Sequence, residues 1–351
     1  MSTSPQRFAF KVFCLSASCF RNMASLTPPY PLSSSQAKTR VPVCGYHRRD
    51  FDLAVTWFSP HEHTSISGSI ATTFREPTTC LAILDTLPLE LVHTIILQMD
   101  LRTFFHFRQI NLRARQIVDQ LHEYKVITAH AMNCICALLR TGAASHVTVA
   151  EIYHCFCTDA CSICKERYGN LVQLLTWTRC CSTCLAKSTP ELCVTSVTKT
   201  VKCLDDHPKM RTLPGVYSME EKHYTKRIKI MPTEVALNGN ELDLDKRRKL
   251  NAKPYLNFMA CCALSTYCPA KREVQTGVSC AGCQLTVEVS GGSDDRMWEL
   301  RNTVYSHDDF ARHLEWCEPA QVLWKSSNSG AQKPAEMPHF CQTEGYFVSP
   351  Y

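Results

Sequence analysis

Two C-x-x-C pairs, Cys161-Ser-Ile-Cys164 and Cys181-Ser-Thr-Cys184, stand 16 residues apart, and no other feature limits the fold of this chain as tightly. A C-x-x-C turn carries both sulfurs to one side, so a second such turn across a hairpin completes a tetrahedron around one cation. Zinc is the expected ion, and its role is structural, because four protein ligands leave no open position for chemistry. Leu171, Val172, Leu174, Leu175 and Trp177, between the pairs, read as a short strand or turn packed over the site. Cys155, Cys157 and Cys180 are close enough in sequence to compete as ligands.

A second zinc site is expected from Cys280-Ala-Gly-Cys283 and His313-Leu-Glu-Trp-Cys317, which together make C-x2-C-x29-H-x3-C. The H-x3-C spacing puts both donors on one face of a helical turn. The long insert leaves His307, Cys261, Cys262 and Cys268 as alternative ligands. With 22 cysteines in 351 residues, the chain is less cysteine-dense than a short disulfide scaffold, so spacing has to decide. In the cytoplasm or nucleus, such pairs hold metal or do redox chemistry more often than they form structural disulfides. Redox chemistry is disfavoured, since neither pair sits at the strand-to-helix start of a thioredoxin-like βαβ unit.

The other informative stretch is Leu87 to Tyr124. Pro88 suits a first helical turn, where its missing amide is no loss, and Glu90 suits the positive end of the helix dipole. Leu91, Val92, Ile95, Ile96 and Met99 follow as an apolar stripe too wide for a short exposed helix. Asp100 is placed to cap a second helix with Leu101, Phe104, Phe105 and Phe107, and Asn111 a third that runs to about Tyr124. In the third, Ala114, Ile117, Val118, Leu121 and Tyr124 form the inward stripe. About forty residues cannot cover that much apolar surface alone, so part of the first helix is left for a partner or a neighbouring domain.

Leu-Pro-Leu-Glu-Leu at 87 to 91, the F-F-x-F-R-Q-I-N run ending at Asn111, and the terminal Tyr124 resemble an F-box. The resemblance implies that Leu87, Pro88, Leu91 and Ile95 meet a Skp-type adaptor, and through it a cullin scaffold. Phe104 and Phe105 stand where the family more often has leucine, a change of volume and not of polarity. The order F-box, CSICKERYGNLVQLLTWTRCCSTCL, TLPGVYS at Thr212 to Ser218, GVSCAGC and F-x-x-H-x-x-x-C resembles, over residues 81 to 326, a group of fungal F-box proteins with a cysteine-rich C-terminal region. It implies an architecture and names no target.

From Met1 to Arg49 there is no acidic residue, while seven Lys and Arg are spread through Ser, Thr and Pro, a composition shared by transit peptides and disordered leaders. The fold class expected is α+β. A disordered basic leader covers residues 1–80, a three-helix F-box-like module 81–127, an irregular zinc-stabilised domain 128–325 and a disordered tail 326–351. No apolar run approaches the roughly 18 residues of a membrane span. A net charge of +6 is too weak to argue for nucleic acid unless it is concentrated on one face. Lys246-Arg-Arg-Lys249 follows Glu241, Asp243 and Asp245 and reads as a paired, solvated surface. Walker, G-x-S-x-G, H-E-x-x-H and dinucleotide-glycine patterns do not occur. The expected function is that of a non-enzymatic ligase subunit presenting a protein target. The alternative is a zinc-containing nucleic-acid-binding or transcriptional regulator.

Overall fold

The computed structural model describes residues 27–71, 80–197, 207–236 and 253–347. The fold is α+β, and the described residues divide into two units that interleave along the chain, one of 27–48 with 277–346 and one of 49–276 with Phe347.

In the larger unit the helices Leu89–Leu97, Leu101–Arg108, Leu112–Gln120, His122–His130, Met132–Thr141 and Val149–Phe156 follow one another with short breaks. Two breaks come from side chains that satisfy helix-start amides: Asp100 Oδ1 accepts from Thr103 N at 3.0 Å and Asn111 Oδ1 from Ala114 N at 2.8 Å. The third helix stops sooner than its apolar pattern suggests. Leu121 turns extended, with ψ 125, and is buried, and a new helix then carries Tyr124 to within 5.3 Å of the Phe104 ring. Phe104 is fully enclosed, so the larger aromatic at that position fills core volume instead of exposing apolar surface. The core continues past the bundle through Phe58, Ile135, Leu138, Ile152, Leu174, Ile230, Leu256 and Tyr267, which makes the F-box-like helices part of a larger unit and not a separate module.

Short strands supply the β part. Leu171–Gln173 pairs antiparallel with Thr178–Cys180 on one side and Cys261–Ala263 on the other. A second sheet has Lys229–Pro232 between Val194–Ser196 and Met210–Arg211, and two further hairpins join 215–217 to 222–224 and 266–268 to 273–275.

In the smaller unit the helix Ser34–Cys44 leads into Gly45–Tyr46, which pairs with Ser279–Cys280. The helices Ala281–Ser290, Asp295–Arg301, His307–Leu314 and Glu318–Ser326 surround a core that includes Cys44, Tyr46, Phe310, Leu314 and Phe340. This corrects the expectation of disorder throughout 1–80 and 326–351. Residues 1–26 and 348–351 lie outside the described residues, but 27–71 carry three helices, and Phe340 and Cys341 are buried. The physical reason is that these basic residues find partners remote in sequence. The Arg40 guanidinium stacks 5.1 Å from Trp324 and donates to Gln321, while Arg48 lies 5.2 Å from the Phe340 ring and donates to Asn302. Composition cannot register such contacts.

Candidate functional site

Three places carry the residues singled out from sequence, and the first is the helix Leu89–Leu97. Pro88 sits at its N-cap (φ −53, ψ 142) and not in its first turn; the Pro88 carbonyl accepts from Leu91 N and Val92 N. The apolar stripe divides. Val92 and Ile96 are buried in the core, whereas Leu91 and Ile95, one turn apart, stay 52% and 43% exposed. Pro88 is exposed as well, and Leu87 is half-buried. Of the ten large apolar side chains the described residues leave exposed, five fall between residues 83 and 110: Ile83, Leu89, Leu91, Ile95 and Ile110. Leu91 and Ile95, one turn apart on one helix, are exposed together, whereas exposed aliphatics normally occur singly. Ile83, Leu89 and Ile110 were missed from sequence, because nothing in the apolar pattern separates an uncovered aliphatic from a core one.

The second place is the cluster of Cys161, Cys164, Cys181 and Cys184, whose sulfurs all lie within 4.8 Å of one another. Cys161 Sγ is 3.9 Å from Cys184 Sγ, and Cys164 Sγ is 4.0 Å from Cys181 Sγ. Tetrahedral zinc with Zn–S bonds of about 2.3 Å places sulfurs about 3.8 Å apart, close to these two distances, so the donor set fits that ion. The first knuckle is shaped by its backbone. The Lys165 amide donates to the Cys161 carbonyl at 2.9 Å, and Lys165 itself adopts a positive φ of 56. Gly169 permits close approach of the hairpin, since a Cβ there would sit 2.8 Å from Arg179 Cγ and 3.3 Å from Cys161 Cα. The Cys181 amide points at Cys161 Sγ (3.3 Å) and the Cys184 amide at Cys181 Sγ (3.4 Å). A hydrogen bond from Cys181, reinforced by backbone amides and opposed by burial, holds the Cys161 thiol well below its ordinary value. Its neighbours Cys181 and Cys184 are pushed up, Cys181 mainly through Cys161 and Cys184 mainly by burial. A soft cation bound there would take the place of the protons these crowded sulfurs share.

Cys280, Cys283, His313 and Cys317 form the third place, fully buried and again within 4.8 Å of one another. Cys280 Sγ lies 3.7 Å from Cys317 Sγ, and Cys283 Sγ lies 3.4 Å from His313 Nε2. The other ring nitrogen, His313 Nδ1, is 3.3 Å from the Tyr305 hydroxyl, and the two rings stack at 4.8 Å. Burial opposes ionisation of Cys280, yet hydrogen bonds with Cys283 and Cys317, together with the His313 charge, hold its thiol well below the usual range. Gly282 is required here, because a Cβ on it would come within 2.4 Å of Ala320 N, where two helices meet.

The alternative ligands are placed elsewhere. Cys180 is fully buried opposite Leu171 in the sheet, with its thiol hydrogen-bonded to that of Cys261, and Cys155 and Cys157 close the helix Val149–Phe156. Cys261, Cys262 and Cys268 belong to the larger unit, and His307 opens the helix whose last turn holds His313. All described cysteines are free thiols. The run Lys246 to Lys249 lies outside the described residues. No helix among them is long and apolar enough to cross a membrane.

The family model of the F-box domain matches residues 84–126, so the chain carries an F-box domain over that stretch. No curated protein and no solved structure matches the chain.

Proposed function

We infer that the chain is a substrate-receptor subunit of a cullin-type ubiquitin ligase, in which Leu87, Pro88, Leu91 and Ile95 dock a Skp-type adaptor. The observation that carries this reading is the exposed Leu91–Ile95 edge of a helix whose opposite edge is buried, inside the stretch that matches the F-box domain. Leu91 and Ile95 are already about half covered, so covering the rest is worth about 1 kcal/mol each, enough to matter in an association of ordinary strength. Both cysteine clusters hold structural zinc in this account. The ions fix loops that have too little apolar content to fold on short strands alone, so that the C-terminal two thirds of the chain can present a protein target. The likeness to fungal F-box proteins with a cysteine-rich region belongs to the same reading.

The chain does no chemistry in this reading. Holding a target beside a charged ubiquitin carrier raises the effective concentration of its lysines, as any tether does. The test is co-purification. The double change Leu91→Asp and Ile95→Asp is expected to remove adaptor and cullin from the purified material while leaving two zinc ions per chain. Adaptor retained by that variant would defeat the docking reading.

A further inference from the structure

Between His207 and Lys229 the chain has six Lys and Arg but only two Glu, so most of its net positive charge is concentrated in one short stretch. Lys222 is paired with Glu220 at 2.5 Å. Arg211, Lys226, Arg227 and Lys229 are exposed and have no carboxylate partner among the described residues. The sheet sets their arrangement. Arg211 and Lys229 are direct partners across the antiparallel ladder of Met210–Arg211 and Lys229–Pro232, while the next pair, Met210 and Ile230, is buried beneath them. Like charges opposite one another on a ladder destabilise it, and an anion between them removes that repulsion. Arg227 lies two residues before Lys229, and the intervening Ile228 is half-buried, so both cations share the outer face at a spacing of about 6.6 Å.

An extended peptide repeats its side chains at that same interval on one edge. Resting on the receptor reading above, we propose that the Arg211–Arg227–Lys229 face binds an extended segment of a target protein with Asp or Glu at alternating positions. Nucleic acid fits less well. Single-stranded binders offer free aromatic faces to bases, whereas the neighbouring Tyr224 is stacked on Tyr255 at 4.6 Å and 19°. The longest run of this pattern within the chain is Glu241-Leu-Asp243-Leu-Asp245.

Fluorescence anisotropy of the full zinc-loaded chain, titrated against a labelled heptapeptide of alternating Glu and Ser, tests the assignment. At low salt we expect binding that weakens as salt is added, and that drops about tenfold or more in the double variant Arg227→Gln and Lys229→Gln. The control Lys271→Gln, an exposed cation on another hairpin, should leave it unchanged. Unaltered zinc content and circular dichroism show that each variant is folded. Equal binding by the double variant and the wild type, or tighter binding of an oligonucleotide of equal charge, overturns the proposal. So does binding that appears only after Glu241→Gln, Asp243→Asn and Asp245→Asn, which would assign the face to the chain's own acidic run. Adaptor co-purification is a separate readout: if the wild type retains adaptor while the peptide fails to bind, only this assignment falls, and if the Leu91 and Ile95 variant retains adaptor while the peptide binds, only the receptor reading falls.

Discussion

The two clusters offer a cation similar donor sets, four cysteines against three cysteines and a histidine, on different topologies. The ligands of the first lie within 24 residues, Cys161 to Cys184, and one hairpin brings them together. The second draws on Cys280 to Cys317, and the strand that carries Cys280 is paired with Gly45–Tyr46, more than two hundred residues earlier. The first site asks the chain to close one short loop, whereas the second closes a longer one on a strand whose pairing partner is remote in sequence. The first cluster should therefore tolerate damage elsewhere, and the second should report on the integrity of both ends of the smaller unit.

Removing ligands gives the largest expected effect. Cys280→Ser with His313→Ala should lose one of two bound zinc ions and release the helix Ser34–Cys44, seen as rapid tryptic cleavage at Lys38 and Arg40. Apparent binding energies of structural zinc, about 10 to 16 kcal/mol in small domains, are large against the stability of a unit this size. Cys161→Ser should lose the other ion and leave those tryptic sites protected. Equal cleavage in both variants would erase the distinction between the clusters.

The glycines give a smaller contrast. Gly282→Ala drives a Cβ against backbone, Ala320 N at 2.4 Å, and should lower stability by about 1 to 3 kcal/mol in urea unfolding. At Gly169 the nearest obstruction is the Arg179 side chain, so the same change should cost less. A greater loss at Gly169 would show that the local knuckle is the stricter of the two sites.

The smallest effect is expected from Tyr305→Phe. The Tyr305 hydroxyl holds His313 Nδ1 and so aims Nε2 at the sulfurs, while the first cluster has only cysteine ligands and no counterpart to this contact. Competition with a chelator should show zinc affinity falling about tenfold at the second site and not at the first. An unchanged affinity would mean that stacking on Tyr305 alone, at 4.8 Å, sets the ring.

How much could be read without coordinates follows the same division. Both ligand sets are visible as residue types at helical or turn spacing, and Asp100 and Asn111 announce the helix starts they cap. The wide stripe on Leu89–Leu97 is visible too, but its periodicity does not say which edge is covered. Val92 with Ile96 and Leu91 with Ile95 are equally apolar, and only the position of the rest of the bundle buries one pair and leaves the other to solvent. His313 was legible over His307 as well, because His313 alone stands one helical turn before Cys317.

Local chemistry by itself determined the α+β class, the helix caps, the two donor sets and the segment that resembles an F-box, because each depends on residues within a few turns of one another. Tertiary structure alone decided that residues 27–71 belong to the folded units, that the F-box helices share a core with Phe58 and Tyr267, and that Arg211 faces Lys229. Those outcomes rest on contacts between segments far apart in the chain, whose free energy depends on mutual position and leaves no periodic trace in either segment.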